Sequence, residues 1–211
     1  MSKTKLTYFN LTGLGEPIRL MLAYGNIEYE DCRVSRQEWA AMKPSLAWPH
    51  LPMLEIDGKT LFHSMAICRY LAKRMNLSGG NSDWLNVQID MTVDSLNDFR
   101  AKVVGYYYLP DSEERERRKA AVIVDILPVY LDRFEKQVST NKGYLVAEQL
   151  TWADIIFLSF IEYISYMLDK PLLEKHPMLK EYHQRLKSLP GIEEWLKTRP
   201  PNPDDARVLF S

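Results

Sequence analysis

The stretch LPMLEIDGKTLFHSMAICRYLAKRM, residues Leu51–Met75, predicts a β-hairpin followed directly by a helix. Asp57-Gly58 is a strong signal for a two-residue hairpin turn, because glycine tolerates the positive φ that such a turn demands. The apolar residues on either side of the turn predict its two strands. Ser64 is then expected as the N-cap of a helix, since apolar residues follow it at helical spacing, namely Ala66, Ile67, Tyr70 and Leu71.

The same stretch offers groups that can bind an anion and an extended peptide. A helix N-terminus presents unpaired N–H groups and a positive dipole end, and the Ser64 hydroxyl adds a donor. If the Leu51–Pro52 peptide is cis, the N–H and C=O of Leu51 can both face the backbone of an extended peptide. An ordinary hairpin with a capped helix is the alternative, and spacing alone favours it.

The residues that precede this stretch predict a βαβ unit. Lys5–Phe9 is a short predicted strand, a helix is expected from Glu16 to Gly25, and Glu28–Val34 is a second predicted strand. Two strands joined by a helix within about thirty residues are expected to be parallel. A short helical turn over Gln37–Ala41 then leads to the hairpin, which gives the order βαβ-α-ββα.

The composition changes after Met75, which predicts a chain of two domains. Residues 1–77 are expected to form an α/β domain and residues 78–83, rich in serine, glycine and asparagine, a linker. No strand-like alternation follows, so residues 84–211 are expected to form an all-helical domain that ends in a tail.

Within the helical domain, long helices are expected over Trp84–Tyr108 and Ser112–Gln137, with a kink at Pro128 in the second. Thr151 and Asp154 form a capping box that opens an almost entirely apolar helix, which is expected at the centre of the domain. The remaining predicted segments are that central helix and those that follow it: Trp152–Met167, Met178–Ser188, Ile192–Lys197 and the tail Arg199–Ser211.

Charge and composition limit the classes of partner. The formal net charge of −1 gives no reason to expect binding to nucleic acid or to an acidic membrane surface. The first residues, MSKTKLTYFN, contain no apolar leader segment, and no long uncharged apolar run follows, so no membrane association and a cytoplasmic location are expected.

Cysteine and histidine spacing predicts neither dithiol chemistry nor a metal site. Cys32 and Cys68 are far apart and form no C-x-x-C motif, so both are expected to be inert thiols. The histidines, which show no metal-ligand spacing, are His50, His63, His176 and His183.

The pattern P-x-L-x-x-D-G-x-x-L-x-x-S-x-A-I-x-x-Y-L, which begins at Pro52, resembles the glutathione-binding half of cytosolic glutathione transferases. Together with Tyr8, GLGEPIR at Gly13–Arg19 and LTWAD at Leu150–Asp154, it is most similar to the sigma class, which includes haematopoietic prostaglandin D synthases and S-crystallins. The resemblance implies a thioredoxin-like domain followed by a helical domain, a homodimer, glutathione as co-substrate and no required metal.

The resemblance also implies a role for Tyr8 at the end of the first predicted strand. A hydroxyl donor beside a thiol favours the thiolate and lowers the thiol pKa, and in the family this tyrosine donates a hydrogen bond to the glutathione sulfur. From the residue alone, a strand tyrosine that only packs remains the alternative. The implied glutathione contacts are Tyr8, Trp39, Lys43, His50, Leu51, Pro52, His63, Ser64 and, from the partner subunit, Asp98.

Each of these contacts is implied for a particular part of glutathione. Trp39 and Lys43 lie four residues apart on the short helical turn and would contact the glycyl end. Leu51 would pair with the cysteinyl backbone, and Ser64 would bind the γ-glutamyl carboxylate. His63 stands where the family usually carries glutamine, so the contact with the γ-glutamyl carboxylate is expected to depend on pH.

The predicted helix after the linker carries Asp90, Asp94 and Asp98 on one face. Like charges at this spacing repel, so the face is either solvated or met by cations from another surface. The resemblance implies a dimer interface in which Asp98 reaches the γ-glutamyl ammonium of the partner. A contact of Asp90 with Arg69 of the partner subunit is a further hypothesis. A divalent ion at these carboxylates is a further alternative.

The second substrate is expected between the two domains, in an apolar site formed by Phe9, Leu14, Gly105, Tyr106 and Tyr108. The tyrosine run can equally be packing at the end of a helix. Leu14 stands where many sigma members carry arginine, which makes the site more apolar and weakens the case for a specific prostaglandin isomerase.

The expected function is that of a glutathione transferase in detoxification. The glutathione thiolate would attack an electrophilic carbon of an apolar substrate or reduce an organic hydroperoxide. The alternatives are a glutathione-dependent isomerase of the prostaglandin D synthase type and a non-catalytic protein, crystallin-like or ligand-carrying, on the same scaffold.

Overall fold

The computed structural model describes residues 4–209, which pack as two units. One unit contains the described parts of residues 1–75 and 190–211, and the other contains residues 76–189. The expected first domain and linker fall close to this division, but residues 190–209 pack with the N-terminal unit and not with the helical one. The ends of the predicted domains, residues 1–3 and 210–211, lie outside the described residues.

The first unit is built on a mixed sheet of four strands in the order β2-β1-β3-β4. The parallel pairing of β1 with β2 confirms the predicted βαβ unit, and β3 pairs antiparallel with both β1 and β4. Strand β2 begins at Glu30, two residues later than expected from Glu28. The strands are β1 Lys5–Phe9, β2 Glu30–Val34, β3 Met53–Ile56 and β4 Lys59–Phe62.

The helices of this unit begin at local signals that are visible in the sequence. Helix α1 has proline in its first turn and buries the apolar face formed by Ile18, Leu20 and Met21. A capping box opens α2, in which Ser35 and Glu38 each accept a hydrogen bond from the other's backbone N–H. These contacts, led by the bond from the Ser35 backbone, hold the pKa of the Glu38 carboxyl below its ordinary value. The helices are α1 Glu16–Tyr24, α2 Arg36–Met42 and α3 Ser64–Arg74.

The hairpin between β3 and β4 confirms the prediction from Asp57-Gly58. Both residues have positive φ, 51° and 71°. Helix α3 follows as expected, but its N-cap is His63, with φ 66° and ψ 110°, and Ser64 is the first helical residue. An N-cap has non-helical dihedrals, and the chain turns from β4 into α3 at His63, so the predicted N-cap at Ser64 was wrong by one residue.

The second unit is helical and has α7 at its centre. Nearly every residue of α7 is buried, and α7 packs most extensively against α4, as its continuous apolar sequence predicted. Within residues 4–209, no helix combines the length and apolar character needed to cross a bilayer. The helices of this unit are α4 Asp83–Tyr107, α5 Glu113–Ala121, α6 Leu127–Thr140, α7 Trp152–Leu168 and α8 Pro177–Lys187. The last helix, α9 Ile192–Thr198, belongs to the first unit.

The predicted kink at Pro128 takes the form of a π-helical turn over Val122–Ile126, which joins α5 to α6. Proline has no N–H for the carbonyl four residues earlier and its ring crowds that carbonyl, so the helix widens before it. The single helix expected over residues 112–137 is therefore two helices in line, and the second continues to Thr140.

The buried carboxylate of Asp154 holds the second unit together at the start of α7. It accepts hydrogen bonds from the Thr151 N–H at 2.6 Å, the Thr151 hydroxyl at 2.9 Å and the Leu145 N–H at 3.1 Å, and also from the Tyr182 hydroxyl. Burial raises the pKa of the Asp154 carboxyl, and these donors oppose that rise. The capping box predicted from the sequence thus also ties α7 to α8.

Replacing Asp154 by alanine should lower the free energy of unfolding by about 3 kcal/mol or more, because several buried donors lose their acceptor. Chemical denaturation followed by circular dichroism measures this. The matched control is Glu181→Ala at an exposed position of α8, which should change stability by no more than about 0.5 kcal/mol. Equal stability of Asp154→Ala and the control would contradict the role given to this carboxylate.

Candidate functional site

Tyr8 lies at the end of the central strand β1 and is held by the loop that follows it. The side chain is 7% exposed, and its hydroxyl oxygen accepts the Leu14 N–H at 3.1 Å. A Cβ on Gly13 would lie 2.8 Å from the Tyr8 oxygen, and one on Gly15 would lie 2.5 Å from the ring. The backbone of this loop therefore fits around the phenol only because both positions are glycine.

The surroundings of Tyr8 strengthen its hydroxyl as a hydrogen-bond donor. An N–H donated to the phenol oxygen stabilises negative charge there, so the O–H gives its own hydrogen more readily. The Arg19 guanidinium lies 5.8 Å from the centre of the Tyr8 ring and acts in the same direction. Arg19 is itself fixed, because it is fully buried and paired with Asp31 at 3.0 Å.

Trp39 and Lys43 lie together at the end of α2, as their spacing predicts. The Lys43 ammonium nitrogen is 5.5 Å from the centre of the Trp39 ring, and Trp39 is buried. Lys43 begins a short 3₁₀ turn, Lys43–Ser45. The pair places a cation on a fixed apolar support, which suits binding of a carboxylate.

Leu51 lies just beyond the point where β3 pairs with β1. The last paired residues are Thr7 and Met53, so Leu51 and Pro52, which precede β3, lie at the same end of the sheet as Tyr8. The Leu51–Pro52 peptide is cis. Among residues 4–209, the structure gives the Leu51 N–H and C=O no hydrogen-bond partner, so both are available to an extended peptide.

The start of α3 brings together two of the histidines that the sequence analysis named as implied glutathione contacts. The rings of His50 and His63 have centroids 5.1 Å apart and are tilted by 42°. Both are exposed, whereas Ser64 beside them is buried. The first N–H groups of α3 lack intrahelical acceptors, so this corner presents backbone donors next to two imidazoles.

Asp98 lies on α4 in the second unit. Asp94 and Asp98 are exposed and Asp90 is half-buried. In the described part of the chain, no three His, Cys, Asp or Glu side chains cluster closely enough to hold a metal ion. A cavity of about 580 Å³ between α4 and α6 includes Asp98, Tyr130, Arg133 and Phe134 in its lining.

The tyrosine run at the end of α4 mainly packs within the second unit. Tyr106 is 1% exposed and donates its hydroxyl to the Met167 carbonyl at 2.6 Å, so it is a core residue, which corrects its assignment to the electrophile site. Tyr108 is half-exposed and its hydroxyl lies 2.7 Å from that of Tyr163. Gly105 faces open space.

The other two electrophile candidates belong to the first unit. Phe9 and Leu14 are half-exposed, and the Phe9 ring centroid lies 5.7 Å from that of Tyr8. Their role toward a second substrate, like that of Gly105 and Tyr108, stays a prediction.

Sequence reasoning missed the residues that hold the loop after β1. The Thr12 N–H donates to the Asn202 side-chain oxygen at 2.8 Å, and Glu16 accepts from Trp195 and Arg199. No local pattern could have found these contacts, which join the two ends of the chain. The capping box at Ser35 and Glu38 was also missed, although S-x-x-E is a recognisable signal.

Two family models match the chain. The model of the glutathione S-transferase N-terminal domain matches residues 4–73, and that of the C-terminal domain matches residues 97–199. The chain belongs to the glutathione S-transferase family. Members of this family are transferases with glutathione as co-substrate, as the motifs predicted.

Relatives of known name agree with this assignment. The chain is 40% identical over 195 residues to glutathione S-transferase S1 of Drosophila melanogaster, covering 92% of this chain and 78% of that one. It is 34% identical over 204 residues to hematopoietic prostaglandin D synthase of Homo sapiens, covering 95% and 98%. These two relatives are consistent with a sigma-like class.

Solved structures confirm the fold. That of prostaglandin synthase D of Nilaparvata lugens is similar with a TM-score of 0.88 at 34% identity, covering 95% of this chain and 100% of that one. Na-GST-3 of Necator americanus, which is described as monomeric, has a TM-score of 0.84 at 27% identity, covering 95% and 99%. The predicted thioredoxin-like and helical domains are thus those of this family.

Replacing Gly15 by alanine should lower the free energy of unfolding by about 1–3 kcal/mol, because its Cβ would overlap the Tyr8 ring. Gly15 has φ −78°, so the cost would come from this overlap and not from the backbone conformation. Denaturant titration measures the effect. The matched control is Gly105→Ala on α4, where the Cβ meets no atom within 4 Å and alanine should stabilise the helix. A Gly15→Ala protein as stable as the wild type would contradict the close fit of the loop.

Proposed function

We propose that this transferase binds glutathione along Leu51–Ser64, with its sulfur beside the Tyr8 hydroxyl, and transfers the thiolate to an apolar electrophile. The observation that supports this most strongly is the sheet register. Because Thr7 pairs with Met53, the unpaired backbone of Leu51 lies at the same end of the sheet as Tyr8. A peptide that pairs with Leu51 by its cysteinyl backbone therefore brings its sulfur to the phenol.

The energy required is within the range of one good hydrogen bond. A free thiol has a pKa of about 8.5, so only a small fraction is thiolate at neutral pH. Lowering that pKa by about two units corresponds to about 2.7 kcal/mol. A charge-assisted hydrogen bond contributes about 1.5–3 kcal/mol. A Tyr8 hydroxyl already polarised by the Leu14 N–H suits this task without ionising.

The charges around the proposed groove complement those of glutathione. Lys43, supported by Trp39, would bind the glycyl carboxylate. The N-terminus of α3 at Ser64, with His63 and His50 beside it, would bind the γ-glutamyl carboxylate. Asp98 of the partner subunit would bind the γ-glutamyl ammonium. Every charged group of the tripeptide thus has a proposed counterpart.

The proposed thiolate supports two reactions. It would attack an electrophilic carbon and form a thioether, or it would reduce an organic hydroperoxide. A prostaglandin isomerase would use the same thiolate, but the half-exposed Leu14 gives no sign of a site shaped for that substrate. The product that the protein forms from a prostaglandin endoperoxide would distinguish the two reactions. A non-catalytic ligand carrier would bind glutathione without turnover. A cytoplasmic location stays a prediction.

Replacing Tyr8 by phenylalanine should raise the apparent pKa of the bound glutathione thiol by about two units, because the hydroxyl donor is removed. Turnover at neutral pH should fall about 10- to 100-fold, and the loss should shrink above the free thiol's pKa of about 8.5, where glutathione ionises unaided. Glutathione affinity should change little. Ultraviolet titration of the bound thiolate measures the shift, with Tyr24→Phe as the control, and an unchanged titration would remove Tyr8 from the mechanism.

We also propose that the protein is a homodimer through α4. Trp84 and Met91 are 67% and 58% exposed, and they lie on one face of α4 with exposed Val87. Large apolar residues clustered on one exposed face indicate an interaction surface. The same helix continues to Asp98, whose proposed ligand lies in the other subunit, so the second copy is the occupant that this surface requires. The monomeric hookworm relative shows that the fold also exists without a partner.

Replacing Val87 by aspartate should weaken the dimer at least about tenfold, because a charge would be buried in the interface. Sedimentation velocity over a range of protein concentrations measures this. The control is Met178→Asp, which changes an exposed apolar residue on α8. A wild-type protein that stays monomeric at high concentration would contradict the proposal.

A further inference from the structure

Helix α9 and the segment that follows it are hydrogen-bonded to the loop beside Tyr8 and to the start of α1. We call Trp195, Arg199 and Asn202 the C-terminal clasp. The Asn202 side-chain oxygen accepts the Thr12 N–H at 2.8 Å, across 190 positions of sequence. Trp195 and Arg199 donate to one oxygen of the Glu16 carboxylate at 2.8 and 2.7 Å. The clasp therefore contacts the middle of the loop and the start of α1.

Glu16 needs these donors because it is buried. Its side chain is 1% exposed, and it lies 3.4 Å from the fully buried Arg19. A buried carboxylate is costly unless it is paired and hydrogen-bonded. Two of its hydrogen-bond donors come from the clasp. The C-terminal segment therefore stabilises this buried carboxylate by packing against α1 and is not a surface tail. At Gly191 the approach to α1 is so close that a Cβ would meet the Ala23 carbonyl.

The loop that the clasp holds is the loop that carries the Leu14 N–H. The loop follows β1, which ends at Phe9, and is held at Leu11, whose carbonyl accepts from Arg19 at 2.8 Å. It enters α1 at Glu16, whose N–H donates to the Thr12 carbonyl at 2.8 Å. Between these fixed ends, Thr12 is held by Asn202 and Leu14 donates to Tyr8. A shift of Thr12 would therefore move the Leu14 N–H relative to the phenol oxygen.

We propose that Asn202 is a positioning residue for the thiol chemistry, because it fixes through Thr12 the backbone N–H that polarises the Tyr8 hydroxyl. The proposal rests on the proposed role of Tyr8. Asn202 does not contact the phenol. It acts by keeping the loop in the one arrangement in which the Leu14 N–H and the Tyr8 oxygen meet. Displacements well below 1 Å in such supporting contacts are enough to change a rate.

The test compares variants that keep or remove the acceptor at position 202. Asn202→Ala and the size-matched Asn202→Leu remove it, and each should raise the apparent pKa of the bound thiol by about 0.5–1 unit. Their kcat/KM at neutral pH should fall about three- to tenfold and recover at high pH, with the KM for glutathione nearly unchanged. Asn202→Asp retains an oxygen for the Thr12 N–H and should behave like the wild type. Asp204→Ala, exposed in the same segment, is the control.

A double-mutant cycle with Tyr8→Phe separates this proposal from the proposed function. If Asn202 acts through Tyr8, the double variant should show no larger shift of the thiol pKa than Tyr8→Phe alone. Additive shifts would contradict the proposal, as would lower stability of Asn202→Ala and Asn202→Leu with an unchanged thiol pKa. If Tyr8→Phe itself leaves the thiol titration unchanged, the proposed function fails. If Tyr8→Phe shifts it and the Asn202 variants do not, only the positioning role fails.

Discussion

The hydrogen bond from the Leu14 N–H to the Tyr8 oxygen is the interaction on which the proposed site depends. It requires a loop that leaves β1, curls around the aromatic ring and returns as α1 within a few residues. Gly13 and Gly15 allow that approach, since a Cβ at either would overlap the tyrosine. The rest of the first unit holds this loop: the sheet fixes Tyr8, Arg19 holds the loop's start, and Glu16 fixes the beginning of α1.

The position of the proposed glutathione site follows from the sheet. Strand β3 begins at Met53, which pairs with Thr7, so the unpaired backbone of Leu51 precedes the strand at the same end of the sheet as Tyr8. The helix that begins at Ser64 then adds donors on the same stretch of chain. The second unit is stabilised independently, around the buried carboxylate of Asp154 and the apolar helix α7. One unit thus carries the proposed thiol chemistry, and the other carries the proposed partner contacts.

The sequence predicted the features that local physical chemistry determines. The turn at Asp57-Gly58, the parallel βαβ unit, the capping box at Asp154 and the disturbance at Pro128 all arise within a few residues or one supersecondary unit. The predicted N-cap was wrong by one residue because His63 adopts a positive φ, which a histidine in the sequence does not predict. Tyr106 was assigned to a site because one sequence cannot show which tyrosine of a run points into the core.

Contacts between distant parts of the chain could not be predicted. Nothing in a tail that contains several prolines indicates that Asn202 accepts a hydrogen bond from Thr12, or that Arg199 neutralises a carboxylate buried at the other end of the sequence. Glu16 needs hydrogen-bond donors because it is buried, and its burial results from the complete fold and not from the neighbouring sequence. The C-terminal segment, which was expected as the tail of the helical domain, is therefore part of the first unit.

The central claim is that the sulfur of bound glutathione lies against the Tyr8 hydroxyl. A crystal structure of the protein with glutathione measures this most directly. The account predicts the cysteinyl backbone paired with Leu51 and the sulfur within hydrogen-bond distance of the Tyr8 oxygen. Glutathione bound elsewhere, or with its sulfur beyond the reach of that oxygen, would contradict the account.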